Sequence, residues 1–168
     1  FSIREGAADR SIKIWTYGPK ALAPDNLVLF VLHGVGREGE RYRNEWQAYA
    51  ERAHALLLVP EFAKANFPGR QNYSAPQAAD AVDNDGATPF AFAAIRQIFD
   101  SVIKTNKLTA SDYRLYGHSA GAQFVHRFIL SFSDARAKVA VLAETGRDKK
   151  SAIAKGFSLR PNVCGGGA

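Results

Sequence analysis

The chain has 168 residues, a length suited to one domain with a hydrophobic core. Its 46% apolar and 23% charged residues are those of a globular protein, and no apolar run approaches the roughly 18 residues of a membrane span. The formal charge of +6 does not mark a nucleic-acid binder. Half of it sits in residues 144–168, and Arg37, Arg41, Arg43 and Arg52 are interleaved with acids on an expected helix, which reads as solvated surface.

The chain opens on Phe1 with no basic-then-apolar signal pattern behind it, which leaves the compartment open, the cytoplasm slightly favoured. Ser11 to Thr16 alternates Ile12, Ile14 and polar residues and predicts a half-buried strand, ended by Tyr17-Gly18-Pro19. Leu27 to Leu32 is a continuous apolar run, the pattern of a central parallel strand covered on both faces. Glu40 to His54 carries Tyr42, Trp46, Tyr49, Ala50 and Ala53 at helical spacing, with His54 at its end. Ala55 to Val59 is a second buried strand. Residues 60–88 lack a period, and the segment Glu61 to Gly86 is expected to border a substrate pocket, with Phe62, Phe67 and Tyr73 as apolar contacts. Thr88-Pro89 predicts a helix start, and Phe92, Ile95, Phe99, Val102 and Ile103 give that helix a core stripe. Tyr113 to Tyr116 is the next strand, Gly121 to Phe132 a helix, and Lys138 to Ala143 a further parallel strand. This alternation predicts an α/β fold: a mostly parallel sheet with helices on both faces.

Between strand and helix lies Gly117-His118-Ser119-Ala120-Gly121, the G-x-S-x-G pattern in the context it requires. The chain turns sharply at the serine, and glycine at both flanks removes collisions that side chains would make. Ser119 is thus the candidate nucleophile, with the N-terminus of the next helix directed at the reacting oxygen. His33-Gly34-Val35-Gly36 follows the earlier buried strand directly. Two amides aimed at one oxygen form an oxyanion hole; here they would be that of Ala120 and that of Val35 or Gly36. His118 is expected to pack or bond beside the nucleophile, and His33 to hold the oxyanion loop.

The run Leu32 to Arg37, the pair Tyr42-Arg43, Val59-Pro60-Glu61-Phe62, Phe67-Pro68-Gly69 and Tyr113 to Gly121 resemble the bacterial α/β-hydrolase esterases. The group they look most like is related to polyhydroxybutyrate depolymerases and dienelactone hydrolases. The resemblance covers roughly residues 10–143. It implies the α/β-hydrolase fold and hydrolysis of a small or polymeric carboxylic ester through an acyl-enzyme. In that chemistry Ser119 attacks, a histidine is the base and an acid orients the histidine.

The pattern orders its triad as serine, acid, histidine, each after a later strand. After Ser119 the one histidine is His126, seven residues and about 10 Å along the helix, which reads as solvated or packed. Asp134 and Asp148 follow no seventh strand and read as surface carboxylates. The chain is therefore expected to be a partial α/β-hydrolase domain over 1–144, lacking the last strands, with an atypical basic, Gly-rich tail over 145–168. Such a chain is a fragment, or its reading frame departs from the family near residue 144. The alternative to an esterase is a non-catalytic fragment or binding protein. The lone Cys164 excludes a disulfide framework and a cysteine-based zinc site. Metal-ligand spacing and phosphate-binding loops are not evident, so neither a metal nor a cofactor is expected.

Overall fold

The computed structural model describes residues 2–5, 8–75, 90–132 and 135–143. It opens with a two-stranded antiparallel ribbon, β1 (Ser2–Glu5) and β2 (Ala8–Ser11), which the sequence pattern does not announce. The main sheet contains β3 (Lys13–Tyr17), β4 (Leu27–Leu32), β5 (Ala55–Glu61), β6 (Tyr113–His118) and β7 (Ala137–Ala143), in the spatial order β3-β5-β4-β6-β7. Strands β5, β4, β6 and β7 run parallel, and β3 closes one edge antiparallel to β5. This is the mostly parallel sheet the alternation predicts. Its single reversed strand is the half-buried one, as an edge strand tolerates.

Among the described residues three helices cover the sheet: α1 (Gly39–Arg52), α2 (Phe90–Asn106) and α3 (Ala120–Ser131). Successive side chains of a strand point to opposite faces, and the core divides accordingly. Val28, Phe30 and Leu32 of β4, with Leu56 and Leu58 of β5, join α2 and α3 through Phe92, Ile95, Phe99, Phe124 and Phe128. Val31 of β4, with Leu57 and Val59 of β5, meets Tyr42 and Ala50 of α1 on the other face. The larger core is heavily aromatic. Phe92 stands edge-on to Phe124 and Phe128 at 5.0 and 5.5 Å, and Phe99 meets Tyr113 at 4.9 Å. These contacts carry α2 and fix α3 over β6 and β7.

Several boundaries move, β5 for one running past Val59 to Glu61. Helix α1 ends at Arg52, and His54 follows it at a φ of 47°, so His54 is a turn residue and not helical. Strand β6 continues through Gly117 and His118, so the strand delivers its last residues directly into the serine turn. Arg37, expected on the helix, precedes it at a φ of 64°. The Thr88-Pro89 helix start, Asp134, Asp148 and the tail 145–168 lie outside the described residues. No helix among the described residues is long and apolar enough to cross a membrane.

Candidate active site

Strand β6 ends at His118 and α3 begins at Ala120, so the chain reverses at the single residue Ser119. Ser119 adopts φ 53° and ψ −112°, a region that costs an L-residue strain energy. The surroundings hold it there. Its amide donates to the carbonyl of Ala143 at the end of β7 (2.8 Å), and its carbonyl accepts the Gln123 amide in the first turn of α3 (3.2 Å).

The flanking glycines sit where nothing larger fits. A Cβ on Gly117 would stand 2.3 Å from the carbonyl oxygen of Gly121, and one on Gly121 would stand 2.2 Å from that of Leu32. Both obstacles are main chain, which cannot rotate away. The second contact also shows that the first turn of α3 rests on the end of β4. The loop that follows β4 is thereby held against the elbow.

That loop is braced by two side chains. His33 is fully buried, and its Nε2 accepts the Phe62 amide N–H (3.1 Å). The ring proton therefore resides on Nδ1, which donates to the Gly34 carbonyl (3.1 Å). Burial pushes the His33 pKa down to about 4, so the ring is neutral at pH 7. The Tyr73 hydroxyl donates to the His33 carbonyl (2.6 Å). With both ring nitrogens engaged by main chain, His33 has no lone pair for a serine proton. The second brace is Tyr42 of α1. Its hydroxyl accepts the Gly34 amide (3.1 Å) and is hydrogen-bonded to Nδ1 of His118 (2.6 Å). One phenol thus joins the loop after β4 to the elbow.

Val35, at the tip of the loop, is 69% exposed, and Gly36 packs beside the Glu38 side chain. Arg37 turns back into the molecule. Its guanidinium donates to the carbonyls of Phe62, Phe67 and Gly69 and lies 4.1 Å from the Tyr73 ring centroid. It ties the β5–α2 connection to the loop, which corrects its reading as a solvated helical residue. Sequence spacing carries no sign of this, because its hydrogen-bond acceptors are main-chain carbonyls 25 to 32 residues away.

A cleft of about 300 Å³ opens beside the elbow, lined by Val35, Arg37, Lys64, Arg70, Tyr73 and Ala120 among others. Phe62 and Phe67, expected as substrate contacts, are instead fully buried core residues. Their rings meet at 5.0 Å, and Phe62 packs on Phe124 at 5.5 Å, filling the space between the connection and α3. Tyr73 is also fully buried, yet it forms part of the cleft floor.

The chain has four histidines. His126 is exposed on α3. His54 lies at the opposite end of the strands, its carbonyl accepting the Leu27 amide at the start of β4 (3.2 Å). His33 is one brace of the loop, and His118 is bonded to the other, Tyr42. Among the described residues no group of histidine, cysteine or acidic side chains is arranged to hold a metal ion.

No protein-family model matches the chain, and no curated protein matches it. Solved structures do. A poly(aspartic acid) hydrolase-1 from Sphingomonas sp. KT-1 is similar with a TM-score of 0.71 and 36% identity, over 84% of this chain and 54% of its own. A poly(3-hydroxybutyrate) depolymerase from Bordetella parapertussis gives a TM-score of 0.70 and 32% identity, over 81% of this chain and 47% of its own. An acetyl xylan esterase from Aspergillus awamori shares the fold at 15% identity, with a TM-score of 0.61 over 78% of this chain and 46% of its own. The chain thus spans about half the length of the structures it matches. Sheet order, serine turn and these likenesses agree: the chain has the α/β-hydrolase fold and is similar to hydrolases and esterases of that fold over about half their length.

Proposed function

We propose that this chain is the nucleophile-bearing part of a serine hydrolase that cleaves carboxylic esters through an acyl-enzyme on Ser119. The observation that carries the reading is the backbone of Ser119, strained at φ 53° between two glycines that main chain crowds on both sides. Strain of this kind is kept where it serves to present a side chain. The turn puts the hydroxyl at the C-terminal edge of the sheet, where the unpaired amides of the first turn of α3 face outward.

In this reading the amide of Ala120 and that of Val35 or Gly36 form the oxyanion hole. Gly117 and Gly121 give the elbow its room, His33 and Gly34 set the loop, and His118 helps to fix the distance between the two halves. Two such donors contribute several kcal/mol to transition-state stabilisation, roughly 3 kcal/mol each. His33 is engaged through both ring nitrogens, His54 lies at the opposite end of the strands and His126 is exposed on α3, so none of these three takes the serine proton in this reading. The substrate is a small or polymeric carboxylic ester. Polymers are suggested by the two neighbours above 30% identity, which are named for poly(aspartic acid) and poly(3-hydroxybutyrate). Nothing in the reading calls for a metal, a cofactor or a nucleic acid.

That His33, His54 and His126 are placed elsewhere favours a second reading, in which the chain binds a ligand without turnover. An activated ester separates the two. With 4-nitrophenyl butanoate, the acyl-enzyme reading expects a burst of about one nitrophenolate per chain, followed by slow release. The burst disappears in Ser119→Ala. Release that is equal in wild type and variant refutes the nucleophile and leaves the binding reading.

A further inference from the structure

Among the described residues the cleft beside Ser119 has charged lining of one sign only: Arg37, Lys64 and Arg70, with no carboxylate. Among the described residues none of these three is ion-paired, whereas Arg41, Arg43, Arg136 and Lys138 all are. Arg37 is held by carbonyl groups and the Tyr73 ring, partners that fix its position and leave its charge uncancelled. Arg70 is anchored through Nη2 to Oε1 of Gln123 (3.3 Å), a neutral partner in the first turn of α3. Its guanidinium therefore stands near the N-terminal end of that helix, whose partial positive charge adds to its own. Lys64 is exposed at the rim.

Among the described residues, the acids near this loop gather elsewhere. Glu38, Glu40, Glu45 and Glu61 line a separate cleft on the α1 side of the same loop. Glu61 is held there by Trp15 Nε1 (2.7 Å) and the Gly39 amide (3.2 Å). Among the described residues the two clefts thus differ in lining: four carboxylates and Arg41 on the α1 side, and basic side chains alone on the side that borders Ala120.

We propose that this cleft binds a carboxylate on the substrate segment next to the bond Ser119 attacks, so that anionic esters are preferred over neutral ones. The proposal rests on the reading of Ser119 as nucleophile, and its test is made independent of turnover. The protein is the full chain carrying Ser119→Ala, and the probe is glutarate. The neutral diamide glutaramide and inorganic phosphate serve as comparison ligands, with binding followed by calorimetry. Glutarate should bind saturably and about tenfold or more tighter than glutaramide. Lys64→Gln combined with Arg70→Gln should weaken it about tenfold, and so should raising salt from about 20 mM to about 500 mM. Equal affinity for glutarate and glutaramide overturns the proposal, as does glutarate binding unchanged in the double variant. Phosphate binding tighter than glutarate assigns the cleft to another anion and also overturns it. Failure of the nucleophile reading shows separately, as loss of the Ser119-dependent nitrophenolate burst while glutarate binding persists.

Discussion

Replacing Gly121 by alanine tests the packing on which the elbow depends. The added Cβ would stand 2.2 Å from the Leu32 carbonyl oxygen, 2.7 Å from the Leu32 carbonyl carbon and 2.8 Å from the His33 carbonyl oxygen. Ordinary contact begins at 3.4 Å, so the worst approach falls short by more than 1 Å. Two of these atoms belong to Leu32, the last residue of β4, and the third to His33 directly after it; β4 is hydrogen-bonded to β5 and β6 on its two sides and cannot retreat. Helix α3 must move instead, carrying the Ala120 amide with it. Overpacking of a core costs about 1–3 kcal/mol, and three rigid obstacles place this case at about 3 kcal/mol. That is a large part of a typical stability of about 5–15 kcal/mol. Urea unfolding followed by the fluorescence of Trp15 and Trp46 measures it, as a midpoint lowered by about 1 M or more. Gly18→Ala is the control: its Cβ would lie 3.9 Å from Leu56 Cδ1, and its midpoint should stay within about 0.5 kcal/mol of wild type. If Gly121→Ala is as stable as Gly18→Ala, the close approach of α3 to β4 is wrong.

Tyr42→Phe removes the hydroxyl that joins the Gly34 amide to His118 and leaves a buried N–H without a partner. It should cost about 1–3 kcal/mol in unfolding free energy and lower the size of the nitrophenolate burst with little change in the ester concentration that half-saturates it. An unaltered burst and stability contradict the brace. His33 supplies a pH dependence of definite sign. An unfolded histidine titrates near 6.5 and folded His33 at about 4, so at intermediate pH the unfolded chain takes up a proton that the folded one refuses. Its contribution is fully present above about pH 6.5 and is lost, by roughly 3 kcal/mol, as pH falls towards 4. Comparing urea unfolding of wild type and His33→Asn between pH 7 and pH 4 should show a shallower pH slope in the variant; equal slopes contradict the neutral, buried ring.

Much of the fold is legible because its signals are local. The apolar runs of β4 and β5, the stripe of α2 and the glycine-flanked serine each lie within a few consecutive residues. The β1–β2 ribbon gives no such signal, since Ser2–Glu5 and Ala8–Ser11 have too few apolar side chains to alternate. In the site, Ser119 and its glycines are readable because steric demand at a strand–helix turn selects residue types directly. The orientation of Phe62 and Phe67 is not readable, because an aperiodic connection has no face that marks inside from outside. The bond from Tyr42 to His118 spans 76 residues and depends on how α1 lies on the sheet. The positive cleft is hidden for the same reason. Arg37, Lys64 and Arg70 are scattered along the chain, and only the fold separates them from the acids that dilute them in sequence.

The account turns on whether Ser119 is a reactive nucleophile. Treating the chain with a fluorophosphonate and mapping the adduct by peptide mass spectrometry addresses it most directly. The expected result is a single modified site, Ser119, with labelling abolished in Ser119→Ala and slowed in Tyr42→Phe. An unlabelled chain, or an adduct on another serine that persists in Ser119→Ala, contradicts it.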